Sequence, residues 1–242
     1  AEISFIINTE LEENFFQKHW GTFLNLIEQV AFKEMGLHKI FTYAFDLRPN
    51  LYLAVESQGF IKEAILKEHC FFNNEYKDVI IHSKINRNIL LRNATVEDIH
   101  ATHLWTNDEY TRKYSFSDKY ITIEEHENWF RNKLKSPDAS YYIFEVDSIS
   151  AAIVRFDKEK SSSDYTIGIN IAPELRGKKL AVKFLQMACE NFTKENPYQI
   201  NAFIKKDNIP SIKAFERAGF VFNEELEING VPSNKYKFEI NE

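Results

Sequence analysis

The chain has 242 residues, a formal net charge of −6, and is 44% hydrophobic and 27% charged, which fits one large or two small soluble domains. An acidic chain without a basic stripe suits neither nucleic acid nor an anionic membrane, and no apolar run approaches the ~20 residues that span a bilayer. The opening AEISFIINTELEEN lacks a signal peptide's basic start, and the well-separated Cys70 and Cys189 in apolar surroundings read as buried thiols, so a cytoplasmic protein is expected.

In chain order, the first signal is an internal repeat. Residues 54–60 and 214–220 both read A-x-E-x-x-G-F, 160 residues apart. NEYKDVII from Asn74 and NKYKFEI from Asn234 keep the same offset, and Gly21 falls opposite Ala181. ISFIINTE resembles YTIGINIAPE at an offset near 164, which makes 3–8 an expected strand with an open edge. So long an offset means duplicated domains, not a solenoid. Residues 1–86 match only the part from Asp164 onward, so they read as a half-domain and 87–242 as a full one. The boundary is expected in SKINRN.

Within the full domain, 88–92 is a short apolar strand. Thr95 with Asp98, and Thr122 with Glu125, are capping boxes that open two helices. His126, Trp129, Phe130 and Leu134 share helical spacing in the second. SYYIFEV and SAAIVRF are strands joined by a turn near Asp147, and DYTIGINI is the next strand. GKKLAVKFLQMACENF is helical, YQINAFI is a strand, and NIPSIKAFERAGF is a helix with Pro210 in its first turn and Gly219 as its C-cap. A hairpin from FVFNEELEI and NKYKFEI closes the order β-α-α-β-β-β-α-β-α-β-β, a mixed sheet with helices on both faces.

The chemistry concentrates in PELRGKKLAV, 173–182. A strand, a turn holding Gly177 and a helix N-terminus present unpaired backbone N–H groups, which bind phosphate with help from the helix dipole. Arg176, Lys178 and Lys179 add positive charge. Taken alone, such a turn is more often a solvated basic loop.

With the strand before it and the strand and helix after it, this stretch resembles the GCN5-related N-acetyltransferases (GNAT), whose turn reads Q/R-x-x-G-x-G/A. The resemblance implies the mixed α+β GNAT fold, preceded by its partial second half, and acetyl-CoA as co-substrate. Arg176 matches the first position and Ala181 the last, while Lys179 replaces the middle glycine. A lysine there still offers its N–H if its backbone is ordinary helical. The resemblance places coenzyme contacts at Ile169, Ile171, Arg176, Gly177, Lys178, Lys179, Leu180, Ala181, Asn208 and Phe215.

The segment 91–130 is similar to the subgroup that acetylates amines of nucleotide-linked sugars in surface-glycan pathways. It carries Leu91, Arg92, Ala94 and Asp98, then Trp105, Asn107, Asp108, Arg112, Ser115 and Phe116, then His126, Trp129 and Phe130. The likeness implies acceptor contacts at Asn107, Arg112, Ser115 and His126. For Trp105, Trp129 and Phe130 core packing is the ordinary explanation; for His126 a structural role competes evenly with substrate contact. His100 and His103 share a helix face but lack a third ligand, and the implied chemistry needs no metal.

Acetyl transfer needs a neutral amine and a polarised thioester carbonyl, which backbone amides near 169–171 can supply. Many family members protonate the leaving thiolate with a tyrosine where this chain has Phe215. Asp164, Glu145 and His126 are candidate bases, beside an ordered water relay. In the half-domain, FFQKHWGTF puts Phe16 and His19 where the turn's arginine and middle glycine would lie, and Arg48 stands at the asparagine position. That copy is expected to be non-catalytic and to pack on the second domain or on a second chain. Two other readings stay open: acetylation of a protein or peptide amine, and an inactive scaffold.

Overall fold

Apolar alternation along 139–171 builds the middle of a seven-stranded sheet in the computed structural model, which describes residues 1–4, 9–47, 49–160 and 162–239. Two units divide at Arg87/Asn88. In the second, the strands are β4 (Ile89–Asn93), β5 (Ala139–Val146), β6 (Ile149–Lys158), β7 (Tyr165–Ile171), β8 (Ile200–Lys205), β9 (Phe220–Ile228) and β10 (Val231–Phe238). They lie in the order β4-β5-β6-β7-β8-β10-β9, antiparallel throughout except for β7 against β8. The five helices of this unit are α3 (Ile99–Asn107), α4 (Glu109–Tyr114), α5 (Ile123–Lys135), α6 (Ala181–Thr193) and α7 (Ile209–Arg217). Of these, α4 carries no apolar period and is not expected from the sequence.

Period-two alternation sends side chains to opposite faces. Tyr142, Phe144, Val154 and Phe156 pack against Phe184, Leu185 and Phe192 of α6, with Phe156 and Phe192 stacked at 4.1 Å. Tyr141, Ile143 and Ile153 face the other way, into a core with Ile99 and Trp105 of α3 and Phe130 of α5. The Asp147–Ser148 turn joins β5 to β6 with both residues at positive φ, 53° and 69°, as a two-residue hairpin requires.

Both expected capping boxes form, at Thr95/Asp98 and Thr122/Glu125. Asp98 does more than cap. Both its carboxylate oxygens accept from Arg92 at 2.8 Å, and Arg92 also donates to Glu145 at 2.7 Å. Burial pushes the Asp98 carboxyl up, but the bonds from Arg92 and from Thr95 N–H outweigh it and hold it below the usual range. This cluster fixes the start of α3 to β4 and β5.

The first unit contains α1 (Thr9–Glu28), continued by a π-helical turn (Gln29–Glu34), then β1 (Lys39–Phe45), α2 (Pro49–Ser57), β2 (Ile61–Phe72) and β3 (Glu75–Ile85). Its sheet has the order β1-β3-β2, and Glu2 makes a parallel bridge to Phe41. Of the expected strand at 3–8, residues 5–8 lie outside the described residues, as does Arg48. FFQKHWGTF is not a turn: it lies wholly inside α1. No proline interrupts it, and Phe15–His19 and Phe16–Trp20 stack one helical turn apart at 5.9 and 6.4 Å. Leu24 is fully buried with Phe23, Ile27 and Phe32 packed around it, whereas Val30 stays exposed. Cys189 is buried as expected, and burial raises its thiol; Cys70, on the edge strand β2, is only half-buried. Among the described residues no helix is long and apolar enough to cross a membrane.

Candidate active site

Strands β7 and β8 pair at two positions only, Tyr165 with Ile200 and Thr166 with Asn201. Beyond Thr166 they part. β7 stays in register with β6 along its whole length, from Tyr165↔Lys158 to Ile171↔Ala152. Tyr165 N–H donates to Gln199 O at 2.8 Å on the β8 side, and Ala172 N–H donates to Ala151 O at 2.9 Å on the β6 side. Strand amides alternate sides, so that of Ile167 closes the Thr166–Asn201 pair, while those of Ile169 and Ile171 point with it toward β8, where no ladder follows. A wedge lined by backbone donors results.

A clamp closes one end of the wedge. Asn201 is fully buried, and its Nδ2 donates to Glu159 at 2.8 Å and to Asp164 at 3.1 Å, while Thr166 Oγ1 also donates to Glu159. Asp164 therefore sits at the closed end, five residues before Ile169 and about 16 Å away at the rise of a strand.

Helix α4 spans the open end. Its Thr111 Oγ1 donates to Asn170 of β7 at 3.3 Å, and Lys205 of β8 donates to Lys113 O at 2.9 Å. Arg176, from the turn after β7, joins this frame. Its Nε donates to Ile171 O at 3.1 Å, one terminal nitrogen to Thr111 Oγ1 at 3.0 Å, and the other pairs with Asp108. Asp108 also caps α4 by accepting from Thr111 N–H. Burial would raise this carboxyl, but Arg176 and the cap amide bring it below the usual range. Arg176 is thus a strut between turn and helix, its charge neutralised by Asp108.

After the strut the backbone turns twice through the left-handed region, at Gly177 (φ 73°) and Lys179 (φ 57°). The ordinary helical backbone that the lysine's N–H was conditional on is therefore not what the chain adopts at Lys179. The position demands what glycine offers freely, at a cost to a lysine of about 1–2 kcal/mol. Leu180 follows in the right-handed region and begins α6 without a side-chain cap, so the amides from Ala181 onward keep their donors for a ligand. Lys178 is half-buried in the turn.

The remaining sequence candidates scatter. Asn208 caps α7, accepting from Ser211 N–H at 3.3 Å. Phe215 lies in the core against Phe220 at 4.9 Å. Glu145 is held by Arg92, away from the wedge. Asn107 exchanges hydrogen bonds with the backbone of Ile121 at 2.8 and 2.9 Å, fixing the loop that leads into α5. Arg112 donates to Ser117 O, Lys119 O and Ser115 Oγ. His126 is 2% exposed, bonded to Thr102 at 3.0 Å and flanked by Trp129 and Phe130. Burial, then the charges of His103 and Arg155, lower its pKa from 6.5 to about 4. The wedge and its turn thus gather Ile169, Ile171 and 176–181, and none of the three proposed bases stands beside Ile169. Sequence reasoning missed Asp108, Thr111 and Asn201 as framing residues. Asp108 had a readable signal, an aspartate three residues before the threonine whose amide it caps. Among the described residues no cluster of three or more His, Cys, Asp or Glu could hold a metal.

The class of protein follows from comparison with known proteins. Residues 88–221 match the acetyltransferase (GNAT) domain, and the chain belongs to that family. It is 24% identical over 140 residues to spermidine N(1)-acetyltransferase of Escherichia coli strain K12, covering 57% of this chain and 75% of that one. Spermidine N-acetyltransferase from Vibrio cholerae, in complex with CoA and spermine, superposes with a TM-score of 0.56 at 21% identity, over 62% of this chain and 94% of that one. AAC(6')-Ib in complex with paromomycin and acetyl-CoA gives 0.56 at 15% identity, over 62% and 93%.

Two outcomes follow from this geometry. Lys179→Gly and Lys179→Ala remove the same side chain but differ in left-handed strain, so the glycine variant should unfold about 1 kcal/mol later in denaturant. Equal stability, or a more stable alanine variant, would contradict the left-handed assignment. The second concerns His126. With its folded pKa below its unfolded one, the unfolded chain binds the proton more readily. Its contribution is complete above pH 6.5 and is lost as the pH falls from about 6.5 toward 4, by up to about 1.4 kcal/mol per pH unit. Chemical denaturation across that range should show this slope in the wild type and not in His126→Leu.

Proposed function

We propose that residues 88–242 transfer the acetyl group of acetyl-CoA to the primary amine of a nucleotide-linked amino sugar. The observation that carries the reading is the parting of β7 from β8, which leaves the Ile169 and Ile171 amides aimed into the wedge. On this reading the thioester carbonyl accepts from those amides, and the pyrophosphate rests on the turn from Gly177 to Ala181. The amine nitrogen attacks the carbonyl carbon, the C–S bond breaks, and the thiolate leaves. The amine's proton passes to water, since Asp164, Glu145 and His126 are all engaged elsewhere, and the thiolate takes its proton from solvent because Phe215 has none to give. Amides that strengthen their bonds as the carbonyl becomes an oxyanion supply the catalytic term, and holding both substrates in one wedge supplies the rest.

Two of the named relatives are spermidine acetyltransferases, and a polyamine is the second reading for the acceptor. Charge on the sheet face opposite α6 weighs against it. Asp98 and Glu145 are paired with Arg92, Asp157 with Lys133, and Asp108 with Arg176, so these four carboxylates already hold cations. The sequence likeness of 91–130 to nucleotide-sugar enzymes favours an anionic acceptor instead. A protein or peptide amine remains a weaker reading, and an inactive scaffold would bind no coenzyme.

We further propose that the first unit is a truncated copy of the domain's second half with a structural role. Its order β1-β3-β2 repeats β8-β10-β9, and the Glu2↔Phe41 bridge repeats the parallel Thr166↔Asn201 pair at the sequence offsets of 164 and 160. Its continuous α1 offers no turn for phosphate. Edge strand β2 carries exposed Ile65, Phe71 and Phe72, which favours self-association there.

Titration calorimetry with acetyl-CoA should give one equivalent per chain; none supports the scaffold, and two would mean a working first copy. Ile169→Pro deletes a wedge-facing N–H without touching the β6 ladder, and should lower kcat about 10²–10³-fold; an unchanged kcat would remove this amide from the mechanism. Light scattering should report a dimer that Phe71→Glu dissociates, and a monomeric wild type would sink the self-association.

A further inference from the structure

Arg155 interrupts the apolar run of β6 after Val154, and it occupies the middle of a row that crosses three strands: Tyr141 of β5, Arg155 of β6 and Gly168 of β7. It is exposed, its guanidinium lies 5.6 Å from the centre of the Trp129 ring, and among the described residues it has no carboxylate partner. Gly168 makes room for it: a Cβ there would come within 2.8 Å of Arg155 Nε. Two residues further along β7, Asn170 accepts from Thr111, and the next residue of α4 is Arg112. Arg112 too lacks a carboxylate among the described residues. Its terminal nitrogens are taken by loop oxygens, but its Nε is buried without a partner. Burial first, and then the charge of Arg155, lower the pKa of Arg112, so the two cations feel one another. The nearby carboxylates do not compensate them, because Asp157 is held by Lys133 and the Tyr141 hydroxyl, and Asp108 by Arg176.

Two guanidinium groups that repel one another, one with an orphaned buried donor and the other over an indole, form a place for a divalent or delocalised oxyanion. Structural pairing would have supplied a carboxylate from the chain. We propose that Arg112 and Arg155 form an oxyanion subsite on the acceptor side of the sheet, which takes a phosphate or carboxylate carried by the amine substrate. The inference rests on the reading of this face as the acceptor site, and it deepens that reading by naming what selects the acceptor.

The test uses the full chain saturated with CoA, so that the coenzyme turn is filled, and titrates three probes by calorimetry: UDP for a phosphate source, glucuronate for a carboxylate source, and spermidine as the opposite charge. UDP or glucuronate should bind, and which one does identifies the oxyanion. Arg155→Gln and Arg112→Gln should each weaken that binding about tenfold or more. Gly168→Ala, which displaces Arg155 without changing charge, should weaken it in the same direction, and keeps the test alive if Arg112→Gln does not fold. CoA affinity should be unchanged in Arg155→Gln. Anion binding indifferent to Arg155, no anion binding at all, or spermidine binding in its place would overturn the subsite. Failure of CoA itself to bind would count against the proposed transferase, while the anion titrations on the coenzyme-free chain would still decide the subsite.

Discussion

Two residue pairs, Tyr165–Ile200 and Thr166–Asn201, are all that join β7 to β8, and the site depends on their stopping there. A full parallel ladder would consume the amides of Ile169 and Ile171. The Asn201 clamp on Glu159 and Asp164 fixes the closed end, and α4 fixes the open one through Asn170 and Lys205. Backbone donors are thereby held unpaired in the folded state, which is otherwise unfavourable for buried amides. A ligand that brought hydrogen-bond acceptors into the wedge would satisfy them.

The first unit shows what happens without that opening. Its strand order and parallel bridge repeat those of the second, yet the stretch opposite the phosphate turn runs on as helix. The difference is local. Pro173 and Gly177 break the chain after β7, and Gly177 and Lys179 adopt left-handed angles. The aromatic Phe15, Phe16, His19 and Trp20, stacked at helical spacing, support the unbroken helix of the first unit. The same strand order thus accompanies a turn in one unit and a continuous helix in the other.

Features set by neighbours in sequence were legible in advance: the capping boxes at Thr95 and Thr122, the Asp147 turn, and the alternation that divides Tyr142 and Phe144 from Tyr141 and Ile143. What failed was of two kinds. Reading FFQKHWGTF through its repeat imposed a turn that its own residues do not favour. The backbone of Lys179 stayed conditional, although its place in a glycine pattern pointed to the left-handed region it adopts. Long-range partners were out of reach: nothing local says that Asp164 serves Asn201, that Glu145 serves Arg92, or that Arg176 reaches back to Asp108. Six-residue α4 was invisible because it is too short for a period, and its position is set by contacts to β7 and β8.

The central claim, that the wedge and its turn are the coenzyme site, is most directly tested by amide-resolved NMR of the ¹⁵N-labelled chain titrated with CoA. The account predicts that the amide signals of Ile169, Ile171, Gly177, Lys179 and Ala181 shift together with one affinity, while those of α1 stay fixed. Shifts confined to other residues, or a response in α1 equal to that in the turn, would contradict it.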